Sequence, residues 1–165
     1  MAISSRLASH LRSGQVSRVV YGAIIGLALV LTMEAHPPSA AAAVGTLLAT
    51  ALAVALAELY SEMVGARARS SLGGSVEPLH AVVADTVAVG FGIAFPSVFF
   101  VAAVLNLVED DTAFALAKWS GLGLIAAYGY VAARLSGAGT WGALLQAVSV
   151  ALIATVLIVL KALVH

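Results

Sequence analysis

The chain has no cysteine, which excludes disulfides and thiolate metal ligands and leaves its redox compartment open. Charge is scarce as well. Eight Lys+Arg and eight Asp+Glu make up 10% of the residues and cancel to a formal net charge of zero. No Gly-rich phosphate cradle, zinc-protease motif or nucleophile triad occurs, so an enzyme is not expected, and neither is a nucleic-acid partner. The largest deficit is in polar surface: with 62% hydrophobic residues and a mean hydropathy of +1.07, the 165 residues cannot clothe a water-soluble fold.

Five apolar runs occupy nearly everything after the first 17 residues: 19–33, 40–59, 81–107, 113–135 and 141–164. Most reach or exceed the roughly 20 residues that carry a helix across about 30 Å of hydrocarbon. The first is short, but it can borrow Ser17, Arg18 and the residues up to Ala35. Lipid tolerates only helices or closed barrels, and these runs lack the strict alternation of a barrel strand. The expected fold class is therefore all-α: a polytopic bundle of five transmembrane helices over residues 18–165. Residues 1–17 form a cytoplasmic leader, with Arg6, His10 and Arg12 spaced by Leu7 and Leu11, readable either as a short interfacial amphipathic helix or as disorder. It is long and polar without a convincing small-residue cleavage site, so the first run reads as an anchor.

Orientation follows from the basic residues. Arg6, Arg12 and Arg18 precede the first span, Arg67 and Arg69 follow the second, and Arg134 ends the fourth, so six of the eight positive charges share one side. That side should be the cytoplasm, giving an N-in, C-out chain. Lys118 and Lys161 are the exceptions, each close enough to a helix end to snorkel; Asp111, two turns before Lys118, is within its reach, and Trp119 beside it fits an interfacial belt.

Helix ends and seams can be placed locally. Pro37 and Pro38 stop the first helix and pre-set the second, with Ser39 beside them, in a tight external hairpin. The second helix should run on past Leu59 until Ser70, Ser71, Gly73 and Gly74 break it, and 70–78 reads as a linker. Gly22 and Gly26 form a GxxxG face suited to close packing, inside the bundle or across a dimer seam. Pro96, mid-span, removes one backbone bond and frees the carbonyl of Gly92, so a kink is expected there.

Ionisable residues within apolar runs are expensive and point to function. Glu58 and Glu62, four apart, share one face near the cytoplasmic end of the second helix, with Met63 and Arg69 extending the region. Asp85 enters the third span early, at a comparable depth. Three carboxylates converging there would suit a hard or borderline divalent cation, and the Met63 thioether would bias the set towards softer transition metals. The candidate metal ligands are thus Glu58, Glu62, Met63 and Asp85. The alternative is structural: Glu62 solvated and paired with Arg67 or Arg69, and Asp85 bridging or capping at the interface. Glu58, flanked by Ala57 and Leu59, is hardest to explain that way.

Four segments stand in order: Arg18-Val-Val-Tyr-Gly-Ala-Ile-Ile-Gly-Leu in the first helix, Ala57-Glu58-Leu-Tyr60-Ser61-Glu62-Met63 at the end of the second, Gly92-Ile-Ala-Phe-Pro96 in the third and Ala133-Arg134-Leu-Ser136-Gly137 closing the fourth. Over roughly residues 18–163 this order resembles the vacuolar iron transporter family. The resemblance implies five spans, a cytoplasmic N-terminus and a homodimer around a central metal path. The family's second-helix glutamate, in Gly-Glu-Tyr-x-Ser, would fall on Glu58. Two departures stand out: the first-helix Asn-Asp-Gly, which supplies a metal-path aspartate, is Ile24-Ile25-Gly26 here, and the glutamate-rich cytoplasmic insertion is reduced to residues 70–78.

The expected function is cation transport in the plasma membrane, with a divalent metal exchanged for protons as cargo and no resident cofactor. A non-transporting scaffold or partner subunit, and a small ion channel, are the alternatives.

Overall fold

The computed structural model describes residues 2–71 and 78–135, with side chains from Gln15 onward, and isolated positions from 137 to 156. Its elements are α1 (Ala2–Ala35), α2 (Ala40–Ser71), α3 (Leu79–Ala94), α4 (Ser97–Val104) and α5 (Asp110–Leu135). No strand occurs among the described residues. By length and composition two helices can cross a membrane, Gln15–Ala35 within α1 and Ala40–Ser71, or three if α3 and α4 count as one bent span. The bundle is all-helical, with two to three candidate spans. α5 is long enough, but Lys118, Trp119, Tyr128, Tyr130 and three glycines dilute its apolar run. The run 141–164, expected as a further span, falls outside the described residues apart from isolated positions.

Local chemistry sets the boundaries. The leader does not form a separate element, since α1 runs unbroken from Ala2. Pro37 and Pro38 end α1, and Ser39 starts α2: its Oγ accepts from the Ala42 N–H at 3.3 Å and its carbonyl from the Ala43 N–H at 2.9 Å. α2 continues to Ser71, well past its apolar stretch. Pro96 cannot donate to the Gly92 carbonyl, and at this break α3 and α4 bend by 49°. Asn106, at φ 57°, turns the chain into α5. Asp110 and Asp111 open that helix, where its dipole favours negative charge.

The expected hairpin between α1 and α2 is only a turn, because the two helices scarcely touch beyond it. α1 packs instead against α3 and α5, while α2 packs against α3 and α4. The α1–α3 seam explains the glycines. A Cβ on Gly22 would run into the Val89 carbonyl, and one on Gly26 would lie 2.9 Å from the Ile93 carbonyl oxygen. Gly22 and Gly26 therefore serve packing within the chain, letting two backbones meet directly.

That seam is reciprocal. Gly22 meets Val89, and Gly92 meets Val19; a shift of 70 residues carries Gly22 to Gly92 and Val19 to Val89. Opposite neighbours advance together, Gly22 with Val89 and then Gly26 with Ile93, so α1 and α3 run parallel. Such exchanged pairs are the mark of a two-fold axis. Burial obeys the same relation: residues 17–30 and 87–100 match class for class over fourteen consecutive positions. Ala43 and Leu47 of α2 are fully buried, as are Ala113 and Ala117 of α5. The chain is thus an internal duplication, α1–α2 followed by α3/α4–α5, in which each unit's first helix packs on the other unit's second. Val30, Ala43, Leu47, Phe100, Ala113 and Ala117 share one core cluster, and within it the Phe100 and Phe114 rings meet edge to face at 4.8 Å.

Candidate functional site

The helix crossing leaves a cleft of about 700 Å³ between α1, α2 and α3, lined by Ser17, Arg18 and Tyr21, by Glu58, Ser61 and Glu62, and by Asp85. Arg18 is its centre: its Nη1 donates to Glu58 Oε1, and its Nε lies 3.5 Å from Asp85 Oδ2. One guanidinium therefore bridges carboxylates from two other helices. The Glu58 side chain is only 14% exposed, against 25% for Asp85 and 34% for Arg18. Glu58 is thus withdrawn from solvent, paired, and still beside open space.

Of the four ligands expected from the sequence, Glu58, Glu62 and Asp85 do line one cleft. Among the described residues no three His, Cys, Asp or Glu side chains come together to hold a metal ion. Glu62 is held by Arg69, Nη2 to Oε2 at 3.1 Å, two turns along the same helix. Met63 is 48% exposed and does not line the cleft.

Arg18, read from the sequence only as a topological charge, is the residue that sequence reasoning missed. The available signal was its position inside the first candidate span, Gln15–Ala35, where a basic side chain needs a partner. Ser17 and Tyr21 join the cleft through the same helical face. Lys118, read from the sequence as part of an interfacial belt within reach of Asp111, pairs with Glu34 of α1, Nζ to Oε1 at 2.6 Å. The register explains this: α5 lies along α1, which brings Glu34 alongside Lys118. Arg18 and Glu34 are sixteen residues apart, about 24 Å along α1, so ion pairs tie both ends of its apolar segment to other helices.

The duplication gives the cleft a counterpart. A second cleft, of about 610 Å³, is lined by Gln15, Val16 and Val19, by Ala84, Val87, Ala88 and Phe91, and by Tyr128 and Val131. The 70-residue shift carries Ser17, Arg18 and Tyr21 to Val87, Ala88 and Phe91, and Glu58 and Ser61 to Tyr128 and Val131. Reversed, it carries Asp85 to Gln15. The same backbone frame thus builds two clefts, one bearing the ionic cluster and the other with no charged side chain in its lining. No protein-family model, curated protein or solved structure matches the chain.

Proposed function

We propose that the chain is an integral membrane transport protein that carries a small cation past Glu58. The observation that carries this reading is a carboxylate 14% exposed, on an apolar helix long enough to span a bilayer, at the wall of a cleft that also holds two further carboxylates, Glu62 and Asp85, and one guanidinium. A bilayer makes such charges costly, and their pairing with one another beside a cavity is the arrangement of an ion path. Arg18 acts as a tethered counter-cation to both Glu58 and Asp85 until cargo takes its place or adds to it.

The finer parts of the proposal rest on the resemblance to vacuolar iron transporters: five spans with an N-in, C-out topology, a homodimer in the plasma membrane, and a divalent metal exchanged for protons as cargo. The test is uptake by reconstituted vesicles, with manganese(II) and guanidinium as separate probes. Whichever cation passes should be stopped by Glu58→Gln and slowed less by Glu62→Gln, whose partner Arg69 lies on its own helix. Uptake that is unchanged in Glu58→Gln removes the site.

One observation favours a second reading, a non-transporting partner subunit that retains the fold: Arg18 already satisfies both Glu58 and Asp85. That reading predicts no saturable uptake of either probe by vesicles containing folded protein.

A further inference from the structure

The polar cleft has a charge deficit that specifies its cargo. Arg18 contributes one positive charge against the negative charges of Glu58 and Asp85, and Glu62 is neutralised by Arg69. The set is therefore one positive charge short. A monovalent cation completes it with Arg18 in place, whereas a divalent ion leaves one excess positive charge unless Arg18 is expelled.

Size and donor chemistry point the same way. A volume of about 700 Å³ lies in the range of small-molecule sites and far exceeds one dehydrated ion. No three acidic, histidine or cysteine side chains converge among the described residues, and the one thioether nearby, Met63, lies off the lining. The residues that do line the space include Ser61, with a hydroxyl, and Tyr21, with an aromatic ring. Carboxylates that accept N–H groups, a hydroxyl and an aromatic face together match an organic cation with a nitrogen head and an apolar body. The site also contains its own precedent, since the group already seated between Glu58 and Asp85 is a guanidinium.

We propose that the cargo of this cleft is a monovalent organic cation bearing a guanidinium or primary ammonium head, bound by Glu58 and Asp85 alongside Arg18 with its body against Tyr21. The inference rests on the transport reading above and replaces the divalent-metal cargo, which came only from the family resemblance, with this class.

The experiment is uptake into vesicles containing the full chain, with guanidinium, benzylammonium and manganese(II) as probes and each tested as a competitor of the others. The expected result is saturable uptake of both organic cations, inhibition of each by the other, and no inhibition by manganese at equal concentration. Benzylammonium uptake should fall to background in Glu58→Gln and Asp85→Asn. Tyr21→Leu should weaken it by about 2–5-fold while leaving guanidinium, which has no body to place, less affected. The competition readout uses unaltered protein, so it stands even if a variant fails to fold. Manganese uptake blocked by Glu58→Gln, with no organic-cation uptake, overturns the substrate class and leaves the transport reading intact. Absence of all uptake by folded protein overturns both.

Discussion

Replacing Gly92 by alanine tests the seam on which both clefts depend. A Cβ there would lie 2.5 Å from the Ala23 amide nitrogen, 2.5 Å from the Val19 carbonyl oxygen and 2.8 Å from the Gly22 carbonyl carbon, whereas ordinary contact begins near 3.4 Å. The obstructing atoms are all backbone, so no rotamer change relieves the overlap. α1 and α3 must separate by about 0.9 Å, and overpacking of this kind costs about 1–3 kcal/mol. The Arg18–Asp85 pair crosses the same two helices at 3.5 Å and has little distance to spare before it breaks. Gly123→Ala in α5 is the matched control, because its Cβ would meet nothing within 4 Å and alanine favours the helix by up to about 1 kcal/mol. Thermal unfolding of purified protein in one detergent should show a clear loss for Gly92→Ala and none, or a gain, for Gly123→Ala. Equal stability of the two variants would refute the reciprocal glycine seam.

Arg18→Gln leaves Glu58 and Asp85 facing one cleft without their cation, so stability should fall by about 1–3 kcal/mol; manganese binding by titration calorimetry should appear or tighten at the same time, and no change in either would show that Arg18 is not the counter-ion. At the other end of α1, a double-mutant cycle of Glu34→Gln with Lys118→Met should report a coupling of about 0.5–1 kcal/mol, modest because both groups are partly solvated, and a coupling of zero would dissolve that pair. The duplication makes a prediction of its own. Tyr128→Glu places a carboxylate at the counterpart of Glu58 where Ala88 stands in for Arg18; it should destabilise the fold by a few kcal/mol and be rescued in part by adding Ala88→Arg, with strictly additive losses as the refuting result.

Much of the fold was legible in the sequence, for reasons visible at single positions. Pro37, Pro38 and Ser39 carry their own boundary chemistry, as does Pro96 with its 49° bend, and α2 runs on past Leu59 as expected, while most of the expected linker, residues 72–77, lies outside the described residues. Glu58 stood out because a carboxylate flanked by Ala57 and Leu59 has no local partner. The partners were not legible, since they are set by which helices cross. Arg18 and Glu58 are forty residues apart, and Glu34 and Lys118 eighty-four. Hydropathy sees both members of each pair only as exceptions to an apolar run. Glu62 is the opposite case: its partner Arg69 lies on its own helix and was among the expected possibilities.

The duplication was the least legible feature, although it organises everything else. Between residues 17–30 and 87–100 the sequence keeps only Val19/Val89 and Gly22/Gly92 identical, with Tyr21/Phe91 conserved in kind. Those positions lie where the two helices meet or where a cleft opens. Elsewhere lipid and partner helices are equally apolar, so Ile, Leu, Val, Ala and Phe replace one another without altering which face is buried. Geometry therefore survives where sequence similarity does not, and the shared burial pattern is its record. The divergence that matters chemically is confined to the cleft walls. A second ionic cluster would add another set of costly charges to the bilayer, whereas Val87, Ala88, Phe91, Tyr128 and Val131 leave the second cleft in the same frame without a charge. The backbone decides where a cleft opens, and Arg18, Glu58 and Asp85 decide which of the two carries an ionic cluster.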